Sequence, residues 1–160
     1  MTSELFGALE ASLLARSLRD SVWAYPLVNA AHIAGVALLV GAIVPLDLKL
    51  LGVWPSVPLD PLWRVLGATA LAGVTLAITF GALLFITRAT EYAASSLFLA
   101  KMAVLGVGGA NAIALRMRMR ATRSSTLSNG AVTRGVRIIA AISLAAWMAT
   151  LTLGRLVGYF

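Results

Sequence analysis

The chain has 160 residues, of which 60% are apolar and 12% charged, with a mean hydropathy of +0.92. A soluble domain is usually about one-quarter charged, so this chain lacks the charge to coat a water-facing surface. It has no cysteine, which excludes disulfides, thiolate metal sites and cysteine nucleophiles. The net charge of +7 comes from arginines beside apolar runs, and loop topology explains them without a nucleic-acid partner.

The first twenty residues, MTSELFGALEASLLARSLRD, carry Glu4 and Glu10 early and lack a continuous apolar stretch, so they do not read as a signal peptide. Leu5, Leu9 and Leu13 recur at i+4, with Leu14 and Leu18 beside them. This spacing predicts one amphipathic helix over about residues 3–20, lying in the membrane interface, the alternative being the first turns of a longer first membrane helix.

A first membrane span is expected over about 23–46. Its run LVNAAHIAGVALLVGAIVPL, Leu27 to Leu46, has no charge and holds the chain's one histidine, His32. Twenty helical residues cover about 30 Å, the thickness of a bilayer's hydrocarbon core. Trp23 and Tyr25 suit the headgroup level, and Ala31 and Gly35 form a small-xxx-small face for another helix. Pro45 is expected to weaken the helix end, after which Asp47 and Lys49 return to polar surroundings.

The stretch LGVWPSVPLDPLWR, with prolines at 55, 58 and 61, reads as a loop. A second uncharged span follows over about 65–86, its threonines able to bond back to their own helix. Arg88 and Glu91 are placed to pair on the next turn. A third span over about 97–115 has Lys101 one turn inside and Asn111 as its strongly polar group, which is expected to bond to a neighbouring helix. The GVGGAN within it lacks the strand a dinucleotide fingerprint needs and reads as helix packing. After Arg116, Arg118, Arg120, Arg123, Arg134 and Arg137 comes a fourth span over about 138–156, closed by Arg155 and anchored by Tyr159 and Phe160.

Alternating four spans gathers Lys49, Arg64 and those six arginines on one side, leaving Arg16, Arg19, Arg88, Lys101 and Arg155 on the other. The richer side is expected in the cytoplasm, with both termini outside. The fold expected is therefore all-α: an integral membrane four-helix bundle with an N-terminal interfacial helix, forming a single domain. Small residues on the spans suit a homo-oligomer or a larger membrane complex, with lipid as the standing partner.

No catalytic triad or P-loop is present, so the chain reads as non-enzymatic. The candidate binding residues are His32, near mid-membrane, and Asn29 one turn before it. Burial requires the imidazole to be hydrogen-bonded or ligated. Its alternatives are a structural bond to Asn29, a threonine or a carbonyl; a haem or copper ligand; or a proton-relay or substrate contact. Among the span-edge charges, Asp47 and Lys49 are placed to meet Arg64 or Arg118, and Arg155 to meet Glu91, as depth-setting anchors.

The segments HIAGVALLVG and LDLKLLG, then RATEY with LFLAKMAVLGVGGANAI and the closing GRLVGY, resemble a family of small, uncharacterised bacterial inner-membrane proteins with four helices. More distantly, the chain is similar to membrane domains of b-type cytochromes and copper-resistance D proteins. That similarity implies haem b or copper held by histidines on several helices. Here Arg116 stands where similar sequences place a second histidine after NAxxL, which excludes a bis-histidine haem within one chain. A ligand pair would need His32 from two subunits, or His32 with Met102 or Met148. The functions carried forward are a membrane subunit or small-molecule-binding module, a haem or copper redox carrier, and a small transporter.

Overall fold

The computed structural model describes residues 2–129 and 132–159, with side chains described over 4–120 and 132–159. The expected anchor Phe160 and the side chain of Arg123 lie outside the described residues. Seven helices form among these residues: α1 Thr2–Glu10, α2 Leu13–Asp20, α3 Ala24–Leu51, α4 Leu59–Thr87, α5 Ala89–Ala94, α6 Ser96–Asn129 and α7 Arg134–Leu156. Four of them, α3, α4, α6 and α7, contain stretches long and apolar enough to cross a bilayer. The chain is an all-α, multi-pass membrane protein.

The N-terminal segment is two helices where the leucine spacing predicts one. Ser12 breaks it: its hydroxyl donates to the Leu9 carbonyl at 2.7 Å and accepts from Ala15 N at 3.2 Å, capping α2. The break changes which leucines are covered. Leu18 is buried, while Leu5, Leu13 and Leu14 stay exposed. Both short helices pack on the C-terminal end of α4, and α1 also packs on α5.

The prolines also act differently from their sequence reading. Pro58 is the N-cap of α4 and Pro61 sits in its first turn, where the missing N–H would have no helical partner in any case. The loop is therefore residues 52–58, shorter than the proline spacing suggests. Helix α3 runs through Pro45 to Leu51 and stops at Gly52, whose φ of +108° suits glycine.

The long helices line up as α4–α3–α7–α6. Helix α3 packs along α4, α6 along α7, and the two hairpins meet through α3 and α7. Burial follows this order: 22% and 28% of the apolar windows of α3 and α7 are buried, against 6% for α4 and α6. At the arginine-rich end, side chains of all four join one core, with Leu50, Leu115, Val136 and Ala140 buried and Leu59 and Trp63 against them. At the other end, the Phe85 and Phe98 rings stack at 5.5 Å between α4 and α6.

Candidate functional site

Polar side chains gather in three places. The first is the α3–α4 seam. A Cβ on Gly35 would sit 2.6 Å from Ala77 N and 2.8 Å from Leu76 Cβ, and one on Gly73 would strike the Leu39 backbone. The two helices therefore touch main chain to main chain. Gly73, Ala77 and Gly81 are spaced four apart, so they line one side of α4. His32 lies on this stripe: its Nδ1 is 2.8 Å from the Ala77 carbonyl, and a Cβ on Gly81 would be 3.0 Å from its Cε1. A carbonyl only accepts, so Nδ1 carries the hydrogen and donates it.

Asn29 does not share this arrangement; it lies on the exposed side of α3. His32 is thus a cross-helix donor to a backbone carbonyl, and its sequence neighbour plays no part in that bond. Asn111 has the same role on the other hairpin, its Nδ2 donating to the Ile139 carbonyl at 3.0 Å.

The haem and copper reading is overturned here. Among the described residues, no group of three or more His, Cys, Asp or Glu side chains is placed to hold a metal ion, and the chain has no cysteine at all. The single histidine already has one ring nitrogen engaged with Ala77. Met102 and Met148, the proposed second ligands, are both exposed.

The second place is the arginine-rich end of α3. Asp47 is 1% exposed and hydrogen-bonds with the Ser143 side chain of α7, while its Oδ2 has no partner. Lys49 points elsewhere: its Nζ donates to the Trp54 carbonyl at 2.7 Å and the Pro55 carbonyl at 3.2 Å. This clamps a loop in which Trp54 adopts φ +56°, a left-handed conformation costly for an aromatic residue. The expected pairing of Asp47 and Lys49 with Arg64 or Arg118 is replaced by these contacts. Arg64 instead reaches Asp60 at 3.6 Å, one turn back on its own helix. Asp47 faces α7, so an arginine on α4 lies on the wrong side of it.

The third place is a cleft of about 570 Å³ at the opposite end, lined by Glu10, Arg19, Thr87, Arg88, Thr90, Glu91 and Ala94. Arg19 donates to the Thr87 carbonyl at 2.7 Å and the Glu10 carbonyl at 2.8 Å. The Glu10 carboxylate accepts from Thr90 N at 2.7 Å, which satisfies an open donor in the first turn of α5. Glu91 is 3.4 Å from Arg88, an exposed pair of small energetic weight. The expected Glu91–Arg155 contact does not form, because Arg155 folds over the Tyr159 ring, 4.6 Å from its centroid. Beside the cleft, the Phe6, Phe85, Tyr92 and Phe98 rings join α1, α4, α5 and α6. Burial, and secondarily Tyr25, pushes the Tyr92 phenol above its ordinary value. The residues lining the cleft do not include His32, Asn29 or Asn111.

The sequence shows Gly73 as a small position and Ser143 as a polar one but gives a partner for neither, and nothing in it points to the Arg19–Glu10 corner. The Gly-Ala-Gly spacing on α4 was visible as a pattern, but its partner helix was not. Ser143 carries no local signal, since a serine inside a span normally bonds its own helix. No protein-family model, curated protein or solved structure matches this chain.

Proposed function

We propose that this chain is a non-enzymatic membrane subunit, set in a bacterial inner membrane with its arginine-rich end in the cytoplasm. One observation carries the reading: the polar groups with bonds in the spans are spent on structure, on their own helix, a neighbouring helix or a loop. His32 and Asn111 each donate to a backbone carbonyl across a hairpin, and Lys49 clamps a loop. Meanwhile the outer helices keep wide apolar faces, with Ile78 on α4 61% exposed and Ile113 on α6 63% exposed. Such faces suit lipid or a helical partner in a larger assembly.

The test is a photo-crosslinking residue at 78 and at 113, activated in intact membranes. The expected result is a discrete protein adduct from at least one face. Adducts to lipid alone at both positions would overturn the subunit reading. The cleft favours a second reading, a small-molecule-binding module, since it presents the Arg88 and Glu91 side chains together on an exposed rim. A zwitterion matches that pairing, and its binding is checked by titrating phosphoethanolamine against wild type and Arg88→Gln in nanodiscs.

A further inference from the structure

The subunit reading leaves Asp47 unused. The carboxyl is 1% exposed and Ser143 beside it is 3% exposed. One oxygen is served by the Ser143 hydrogen bond, and Oδ2 has no partner. Among the described residues, the charged groups of the neighbouring elements are held in other contacts or exposed, Arg120 on α6 among the exposed ones. On its own helix, Lys49 is held by the Trp54 and Pro55 carbonyls. On α4, Arg64 is 3.6 Å from Asp60. On α6, the Arg118 guanidinium lies over Gly135 at the start of α7, and Arg116 is exposed, as are Arg134 and Arg137 on α7.

A carboxylate ion in this position would be buried without a counter-charge among the described residues and with an oxygen left bare, an arrangement that costs several kcal/mol. Packing closes two of the ways out, exposure and ion pairing. The third is a proton. Placed on Oδ2, it neutralises the group and leaves the other oxygen free to accept from the Ser143 hydroxyl.

We propose that Asp47 is a proton-binding site inside the membrane protein, loading a proton on Oδ2 from the aqueous phase at the arginine-rich end and returning it there. The route is short on that side: Asp47 is about 6 Å of helix from Leu51, against about 35 Å to the start of α3. Loading forms one O–H bond, and release returns the proton to water with no other bond changed. Asp47 and Ser143 stand on α3 and α7, the pair through which the two hairpins meet. The unloaded, charged state demands water at this seam, so proton release loosens one hairpin from the other.

The test is pH-difference infrared spectroscopy of the full chain in nanodiscs, with and without carbon-13 aspartate. The chain has three aspartates, and Asp20 and Asp60 are not buried. The expected result is a protonated-carboxyl C=O band that persists above pH about 5, where exposed carboxyls are ionised. It moves with the isotope, disappears in Asp47→Asn, changes frequency in Ser143→Ala and falls reversibly as pH is raised. An absent band, a band retained in a folded Asp47→Asn protein, or a band that never titrates overturns the site. If Asp47→Asn does not elute as the wild type does, the isotope shift and Ser143→Ala carry the assignment.

Discussion

The two hairpins hold together by different means. In α3–α4 the backbones touch, because Gly35 and Gly73 leave no side chain between them and Leu76, Ala77 and Leu39 lie directly opposite. In α6–α7 a side chain fills the space: a Cβ on Gly108 would meet the Trp147 ring at 3.6 Å, an ordinary van der Waals contact. Each hairpin then adds one cross-helix donor, His32 or Asn111, aimed at a main-chain carbonyl. In lipid the hydrophobic effect does not separate one apolar helix from another, so close backbone packing and cross-helix hydrogen bonds set the partner. The first seam is therefore intolerant of added volume, whereas the second has room for it.

The largest test of this contrast is a single methyl group on each side. Gly73→Ala should cost about 3 kcal/mol, because the added carbon meets rigid backbone, and Gly108→Ala should be close to neutral. Thermal loss of monodisperse protein in detergent measures both. Equal losses at the two positions would erase the distinction.

A smaller effect is expected where α3 hands over to α4. Lys49→Met removes both hydrogen bonds that hold Trp54 at positive φ, a loss of about 2 kcal/mol. It should appear as faster proteolysis within residues 52–58, with the spans intact. The smallest effect sharpens the similarity between the hairpins instead of their difference. His32→Leu and Asn111→Leu each forfeit one intramembrane hydrogen bond, worth about 0.6 kcal/mol, and the double variant should lose the sum because the two bonds sit in separate seams. A much larger loss at His32 would mean that its ring does more than bond Ala77.

Much of the fold was legible because spanning a bilayer is a local property. A run such as Leu27 to Leu46 announces itself by length and lack of charge, and all four spans appear where such runs lie. The ends were less legible. Helix α3 runs on through Pro45 although an interior proline removes a helical hydrogen bond, whereas Pro61 falls in the first turn of α4, where the lost N–H has no helical partner. The site was the least legible part. For His32 a structural bond to a carbonyl is one of the expected alternatives, and it is the one that forms, but that carbonyl lies 45 positions away on α4, which no residue type advertises.

By itself the sequence determined that four runs are long and apolar enough to span a membrane, where those runs lie, and that thiolate chemistry is absent. Those follow from sums along one helix. Only the tertiary structure decided that Gly35 meets Gly73, that Ser12 divides the N-terminal segment, and that Asp47 is buried against Ser143. Each of these depends on which faces of distant helices meet, and apolar composition leaves that choice open because lipid and a neighbouring helix satisfy an apolar face equally well.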